Sequence, residues 1–130
     1  MAGSKSDYLE TALLNHVLRA TALASPSTVY VGLYTTAPTD AGGGVEVSGN
    51  GYARKAIAFS APAGGSTSNS STVTFPAAVP AGWGTVVAFG VFDSLSSGNL
   101  LYWATLTDSR TVAIGEQPYF PAASLVISDD

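Results

Sequence analysis

Two apolar runs joined by a polar turn dominate the pattern of hydrophobic and polar positions along the chain. The first run, Gly84–Phe92, is apolar on both faces of an alternating strand: Val86, Ala88, Gly90 and Phe92 on one, Val87, Phe89 and Val91 on the other. Residues 93–99 are rich in Asp, Ser, Gly and Asn, which favour a turn, and residues 100–107 return as a second strand. Because a strand with two apolar faces is covered on both sides, the pattern predicts a hairpin at the centre of the core.

A helical period marks the N-terminal part of the chain. Apolar residues recur there at helical spacing: Leu9, Leu13, Leu14, Val17 and Leu18. Asp7 and Glu10 have the spacing of a capping box at the start of a helix. We therefore predict a helix over residues 7–21, preceded by a small polar arm over residues 1–6. The apolar stripe of this helix requires a partner, either the sheet of the same chain or a neighbouring molecule.

From residue 28 onwards the period of the pattern changes from a helical one to two. Besides the hairpin, strands are predicted at residues 28–36, 45–47, 52–59, 72–75, 111–114 and 123–128, and flexible loops at 39–51 and 60–71. Short strands separated by turns, after one helix, indicate a single, mainly β domain spanning residues 1–130. The predicted architecture is an antiparallel β-sandwich, with the jelly roll as one form of it, carrying one N-terminal α-helix.

Composition and charge narrow the classes of partner. Charged residues make up 11% of the chain, and the net charge is −4 with five basic residues that form no run. This argues against nucleic-acid binding and against an acidic membrane surface. The absence of cysteine excludes disulfides and thiolate metal sites. The apolar runs are too short to span a bilayer, and polar residues interrupt the region where a signal peptide would lie, so we expect a protein made and used without secretion.

The sequence carries no recognisable catalytic, cofactor or metal motif. His16 is the single histidine and lies within the predicted helix, where we expect a helix-surface or packing residue and not a catalytic one. The glycine-rich segment 44–51 has part of the spacing of a phosphate loop but lacks its lysine. We therefore predict no catalytic residue, no cofactor and no metal. Paired carboxylates for glycoside hydrolysis stay open, since only a fold could bring them together.

Aromatic and basic residues supply the candidates for a partner interface. Aromatic side chains dominate both protein cores and the centres of interfaces, so the many aromatic residues of this chain are consistent with either location. The candidate interface residues are Tyr8, Tyr52, Arg54, Lys55, Tyr102 and Trp103. Arg54 and Lys55, flanked by Tyr52, either anchor an acidic partner surface or form a solvated strand edge. Tyr102 and Trp103 are adjacent and point to opposite faces of their strand, which predicts that both faces are covered. We expect the second sheet and the helix to cover most of the hairpin, with a neighbouring subunit at the Tyr102 or Trp103 side.

The order of motifs resembles a known family. DYLETALLNHVLRAT, VYVGLYTTAPTD, GYARKAIAF and WGTVVAFGVFDSLSSGNLLYWATLT together resemble small virion proteins of tailed bacteriophages. Members are often labelled as tail-fibre proteins, and related small β-domains serve as capsid decoration, or cement, proteins. The resemblance covers nearly the whole chain and implies no catalytic residue. The chain has no coiled-coil heptads and no repeats such as a long fibre shaft would show.

These observations predict a non-enzymatic structural protein of the virion. The leading hypothesis is a cement protein that binds and stabilises the assembled capsid, with its arm and helix reaching along adjacent subunits. The first alternative is a tail-fibre or tail-tip component, and the second, from a different class, is a carbohydrate-binding or carbohydrate-active domain. The expected partners are the major capsid protein or tail proteins of the same virion and further copies of the chain. The expected location is the virion exterior, after synthesis in the cytoplasm of the bacterial host.

Overall fold

The computed structural model describes residues 4–129, which form a mainly β fold with one helix. The elements follow the chain in this order: β1 (Ser4–Lys5), α1 (Asp7–Arg19), β2 (Val29–Thr36), β3 (Val45–Glu46), β4 (Lys55–Ile57), β5 (Ser66–Ser68), β6 (Val73–Thr74), β7 (Gly84–Phe92), β8 (Leu100–Val112), β9 (Tyr119–Phe120) and β10 (Val126–Ser128). This confirms the predicted fold class, with its single N-terminal helix ahead of many short strands.

The predicted hairpin lies in the middle of the largest sheet. Six antiparallel strands form this sheet in the order β1-β8-β7-β2-β3, with β4 also paired to β2. Strand β7 is bonded on one side to β8 and on the other to β2, so that Phe89 lies between Ala104 and Leu33. From Ala88 to Phe92, β7 has a neighbouring strand along both edges, which places this part of the hairpin inside the sheet.

A second layer covers one face of this sheet, which is consistent with the predicted β-sandwich. The layer consists of two short ribbons, β5 with β10 and β6 with β9, and of the segments that join them. Fully buried side chains come from both layers: Val31, Leu33 and Phe89 from the sheet, Phe75 and Leu125 from the opposite side. Phe120 of β9 meets Phe75 and Phe89 in edge-on contacts, with centroids 6.1 and 6.3 Å apart. The core therefore sits between the large sheet and the ribbons.

The distribution of side chains along β7 differs from the strict alternation that the sequence predicted. The pairing of β7 with β8 shifts register between Val86 and Ala88. As a result Val86 joins Phe89 in the main core, whereas Ala88 belongs to a second cluster with Tyr34 and Phe92. The prediction that Val86 and Ala88 share a face is thus wrong, because a bulge changes which side chain faces which layer.

Several predicted strand limits also need correction. Residues 100–107 and 111–114 were expected as separate strands, but β8 is one strand that continues to Val112. The strand predicted at residues 52–59 is confined to Lys55–Ile57. Strand β5 lies inside the segment 60–71 that was expected to be a flexible loop, because its backbone pairs with β10.

The N-terminal segment is tied to the fold. Residues 1–3 of the predicted arm lie outside the described part of the chain, and Ser4–Lys5 pairs with Trp103 and Tyr102 at the edge of β8. The N-cap of α1 is Ser6 and not Asp7, since the Ser6 hydroxyl accepts a hydrogen bond from the Leu9 amide at 3.2 Å. This correction places the capping side chain one residue earlier than the capping-box spacing suggested.

The helix α1 ends at Arg19, two residues before the predicted end. Ala20 follows in a left-handed conformation with φ of 54°, and its amide bonds the Asn15 carbonyl, which closes the last turn. Along α1 only Leu9 is buried, and the helix packs against β8 of its own chain. Within residues 4–129 no helix is long and apolar enough to cross a membrane.

Candidate interaction surfaces

Arg54, one of the predicted interface residues, is the centre of a polar cluster at one edge of the sheet. Its Nε and Nη2 atoms donate to the two carboxylate oxygens of Glu46, each at 2.8 Å. Its Nη1 atom donates to the carbonyl oxygens of Ser94 at 3.0 Å and Ser97 at 2.8 Å. The guanidinium also lies 3.5 Å from the centroid of the Phe92 ring. Arg54 therefore fastens the turn of the central hairpin to β3 and covers the second face of β7.

The environment of the Arg54 guanidinium keeps it charged. Its side chain is 9% exposed and that of its partner Glu46 is 24% exposed. Burial lowers the pKa of Arg54, but the hydrogen bonds and charge of Glu46 more than offset this and raise the pKa above its ordinary value. A guanidinium that is paired with a carboxylate through two hydrogen bonds links two elements rigidly. The Arg54 nitrogens donate to acceptors of the same chain.

Tyr52, also predicted as an interface residue, joins this cluster to the main core. Its hydroxyl donates to Oε2 of Glu46 at 2.6 Å and accepts a hydrogen bond from the Leu33 amide at 3.0 Å. Its ring is parallel to that of Phe75 and edge-on to that of Trp83. Burial, followed by the bond to Glu46, raises the pKa of the Tyr52 phenol well above its ordinary range. In the folded chain the phenol is a hydrogen-bond donor to Glu46.

Two paired glycines make room for the cluster. Gly32 of β2 and Gly90 of β7 face each other in the sheet. A Cβ atom at Gly32 would lie 2.7 Å from Oε2 of Glu46 and 2.9 Å from the Tyr52 hydroxyl. Because real Cβ atoms do not approach oxygen so closely, a side chain at Gly32 is incompatible with this arrangement.

An open cleft of about 370 Å³ lies beside the cluster. Glu46 and Arg54 line one part of it, and Leu95 and Ser96 of the hairpin turn line another. Leu95 is 56% exposed, so the rim of the cleft offers an apolar side chain next to polar groups. Such a cleft can accept a segment of a partner protein or a polar ligand.

The remaining predicted interface residues are dispersed over the surface. Lys55 is exposed on β4, and Tyr8 is exposed near the start of α1. Tyr102 is half-buried against the main core, where it borders a small apolar cavity of about 180 Å³ between the sheet and β10. Trp103 is half-buried on the other face, as their adjacency on β8 predicted, and its indole nitrogen donates to Asp40 at 2.9 Å. The structure brings Tyr52 and Arg54 together and leaves the other four separate from them.

A group of carboxylates surrounds the start of α1. Asp7, Glu10 and Asp40 are exposed, and each has a carboxylate oxygen within 4.8 Å of the others. The Asp7 amide donates to the carbonyl oxygen of Asp40 at 2.7 Å, and negative charge is favourable beside a helix N-terminus. These three are the described residues that could hold a cation, but their position at the helix start accounts for the grouping without one.

The C-terminal half of α1 presents an apolar surface to solvent. Leu14, Val17 and Leu18 are 59, 71 and 73% exposed, and we call these three residues the α1 stripe. A groove lined by Lys5, Glu10 and Leu13 together with the stripe has a volume of about 550 Å³. His16 lies on the exposed surface of the helix, with Nδ1 3.1 Å from the carbonyl oxygen of Thr21. The sequence predicted that the helix needs a partner. The rest of the chain buries Leu9 and partly covers Leu13, and it leaves the α1 stripe exposed.

Three members of the Arg54 cluster were not predicted from the sequence: Glu46, Gly32 and Phe92. The one feature of the sequence that could have pointed to Glu46 is its place as a single acidic residue between Val45 and Val47 in a short predicted strand. Its bond to Arg54 depends on β3 and β4 both pairing with β2, which spacing along the chain does not reveal.

The fold and these surfaces define a small β-rich module. The hydrogen bonds of its Arg54 cluster are made within the chain, and its helix exposes an apolar stripe that a partner could contact. Comparison with protein families then identifies the chain more closely. A family model described as podophage GP4 fiber I protein gp80 matches residues 4–128, and the chain belongs to this family. It is therefore a structural protein of a bacteriophage virion. This confirms the resemblance to small phage virion proteins that the sequence showed. The family indicates a structural rather than an enzymatic role. A comparison with curated proteins finds no match.

Proposed function

We propose that the chain is a non-enzymatic subunit of the fibre apparatus on the virion exterior, where it binds other tail proteins. The observation that carries this proposal is the family match, which extends over nearly the whole chain and whose description names a fiber protein. This reverses the order of the two virion hypotheses, because the sequence alone had favoured capsid decoration.

The structure supports a fixed module in preference to a shaft. The described chain is a sandwich with its own core, and its sequence carries no heptad seam along which a long fibre would assemble. Its polar cluster is satisfied internally, whereas the α1 stripe, the Leu95 rim and the exposed Tyr8 offer apolar contacts. Apolar and aromatic side chains of this kind supply most of the binding energy of protein interfaces. We infer that the module contacts its virion partners through these side chains.

Capsid decoration is the second candidate. Its support is the compactness of the module, because a cement protein needs a small body that can bind many equivalent sites on a shell. In that role weak contacts sum over the lattice, and binding only to the assembled state stabilises it.

Localisation on the particle separates the two candidates. An epitope tag inserted in the 93–99 turn would disturb the Arg54 cluster, so the tag belongs at the C-terminus, after Asp130. Immunogold labelling of tagged virions is expected to decorate tails and to leave heads free. Labelling spread over the heads would contradict the fibre assignment and favour capsid decoration.

The carbohydrate hypothesis has weaker structural support. Sugar-binding platforms use exposed aromatic rings, and the ring of Tyr52 beside the 370 Å³ cleft is packed against Phe75 and Trp83. A glycan array and a hydrolysis assay test this alternative directly. Binding or cleavage that is lost on changing the exposed Leu95 or Ser96 would place a carbohydrate function at the cleft, and we expect neither activity.

A further inference from the structure

We propose that residues 4–19 form a latch that opens from the large sheet while the sandwich stays folded, and that Ser6 holds this latch closed. The latch consists of β1 and α1 and lies beside β8, at one edge of the sheet. Its release therefore breaks no pairing between the other strands. Residues 20–28, which are exposed apart from Leu23, join it to β2 without a helix or strand. The inference concerns movement within one chain and does not depend on where the protein lies in the virion.

The apolar attachment of the latch to the sheet is small. Along α1 only Leu9 is buried, whereas Val31, Phe75 and Phe89 are fully buried in the core of the sandwich. Parts of a fold with few buried apolar contacts open at a lower free energy than its core. A helix of 13 residues is marginal on its own, so α1 loses its helical hydrogen bonds when it leaves β8. The latch should therefore open more often than the sandwich unfolds.

Ser6 makes several polar attachments at the junction of β1 and α1. This residue is 3% exposed, and its amide donates to the Leu101 carbonyl at 2.9 Å. Its hydroxyl donates to the Leu100 carbonyl at 2.5 Å and accepts a hydrogen bond from the Leu9 amide. One side chain therefore caps α1 and also ties the start of the helix to β8. Removing the hydroxyl leaves the Leu9 amide without its partner, which favours the open state.

The other polar attachments of the latch are at the surface. The Lys5 ammonium lies 2.5 Å from a carboxylate oxygen of Asp129, and the two side chains are 25 and 44% exposed. Ion pairs with this access to water contribute little to stability, because water and salt screen them. The Asp7 amide donates to the carbonyl of the exposed Asp40. The closed state therefore depends most on Ser6.

Opening of the latch changes which groups the sheet presents to solvent. In the closed state β1 pairs with Tyr102 and Trp103 at the edge of β8, and Leu9 and Leu101 line the same groove. In the open state this strand edge and both leucine side chains face water. Proteins commonly cover strand edges, because an unpaired edge pairs with other chains. The latch therefore controls when this edge of β8 is available for pairing.

Hydrogen exchange resolved by NMR tests the latch on the unmodified full chain. The Ser6 amide reports release from β8, because it donates to Leu101 and lies before the helix, where fraying of α1 does not expose it. We expect this amide to exchange roughly a hundredfold or more faster than the slowest amides of β7. Equal exchange rates would overturn the proposal, because the latch would then open only when the whole chain unfolds.

A core substitution separates release of the latch from unfolding of the sandwich. Leu125→Ala, at a fully buried site in the opposite layer, should speed the exchange of the β7 amides by roughly tenfold or more. It should leave the exchange of the Ser6 amide unchanged, because the open state keeps the sandwich folded. Ile57→Val, on the far side of the sheet, is the milder form of this test should Leu125→Ala fail to fold. Equal acceleration of the Ser6 and β7 amides would contradict a separate opening.

Substitutions at Ser6 test its role in holding the latch. Relative to its intrinsic rate, the amide of residue 6 should exchange about tenfold faster in Ser6→Ala. Ser6→Thr keeps a capping hydroxyl and should restore most of the protection. Ser109→Ala, at an exposed site on β8, is the matched control and should leave this amide unchanged. The same rate in Ser6→Ala and the unmodified chain would show that Ser6 does not hold the latch closed.

Discussion

Replacing Arg54 by Ala tests the claim that this residue is a structural bridge. The change removes four hydrogen bonds and the contact with the Phe92 ring. It also leaves the Glu46 carboxylate, which is 24% exposed, without its cationic partner. We therefore expect a substantial loss of folding free energy.

The magnitude follows from the burial of the pair. Truncating one partner of a fully buried ion pair costs about 3–5 kcal/mol. Because Glu46 keeps some access to water, the lower end applies, and we expect Arg54→Ala to cost about 3 kcal/mol. An unfolding entropy of about 2.1 cal/mol/K per residue then predicts a decrease of roughly 10 °C in Tm for a chain of 130 residues.

Urea and thermal unfolding, followed by circular dichroism, measure this loss. The matched control is Arg110→Ala, because Arg110 contacts Glu116 at 3.3 Å with both side chains largely exposed, and such a pair contributes at most about 1 kcal/mol. A double-mutant cycle of Arg54→Met and Glu46→Gln is expected to give a coupling of about 1 kcal/mol or more. Equal losses for Arg54→Ala and Arg110→Ala would refute the structural role of Arg54.

Three further substitutions test other parts of the structure. Gly32→Ala should lower the free energy of unfolding, measured in urea, by about 1–3 kcal/mol, because the new Cβ displaces Glu46 and the Tyr52 hydroxyl. The loss should be smaller in the Arg54→Ala background. Asn69→Asp should lower the free energy of unfolding by about 2–4 kcal/mol at pH 7, because the buried Asn69 amide donates to two carbonyl oxygens that a carboxylate would face. The loss should be smaller at pH 4. Equal losses at both pH values would contradict this prediction. Burial raises the pKa of Tyr34 to about 12, whereas an unfolded tyrosine ionises near about pH 10. The free energy of unfolding should therefore be steady below pH 10 and fall as the pH rises from 10 to 12, and Tyr34→Phe should reduce that fall in urea titrations at pH 8.5 and 11.

Elements whose structure follows from local pattern could be predicted from the sequence. The helix period over Leu9 to Leu18, the alternation in β2 and the apolar hairpin each correspond to an observed element. The capping residue was misplaced, because Ser6 and Asp7 are both good N-caps and the choice depends on how the chain leaves β1. Strand β5 could not be predicted, because its Ser and Thr residues have no apolar period and pair with a strand more than 50 residues later.

The candidate surfaces were predictable only in part. Aromatic and basic composition singled out Tyr52 and Arg54, which do share a cluster, but their partners are supplied by tertiary pairing. Glu46 lies beside Arg54 because β3 and β4 both pair with β2. Phe92 contacts Arg54 on the second face of β7. The exposure of Leu14, Val17 and Leu18 likewise depends on which side of α1 packs against β8, which periodicity does not determine.

The composition of purified virions tests whether this chain is a structural subunit of the particle. Particles banded by density and washed free of lysate would be analysed by quantitative mass spectrometry, with the major capsid protein as the internal standard. We predict that each particle contains a fixed copy number of the chain, and that the chain stays in the tail fraction after heads and tails are separated. Recovery of the chain only from the soluble lysate, with none in washed particles, would contradict its assignment as a virion protein.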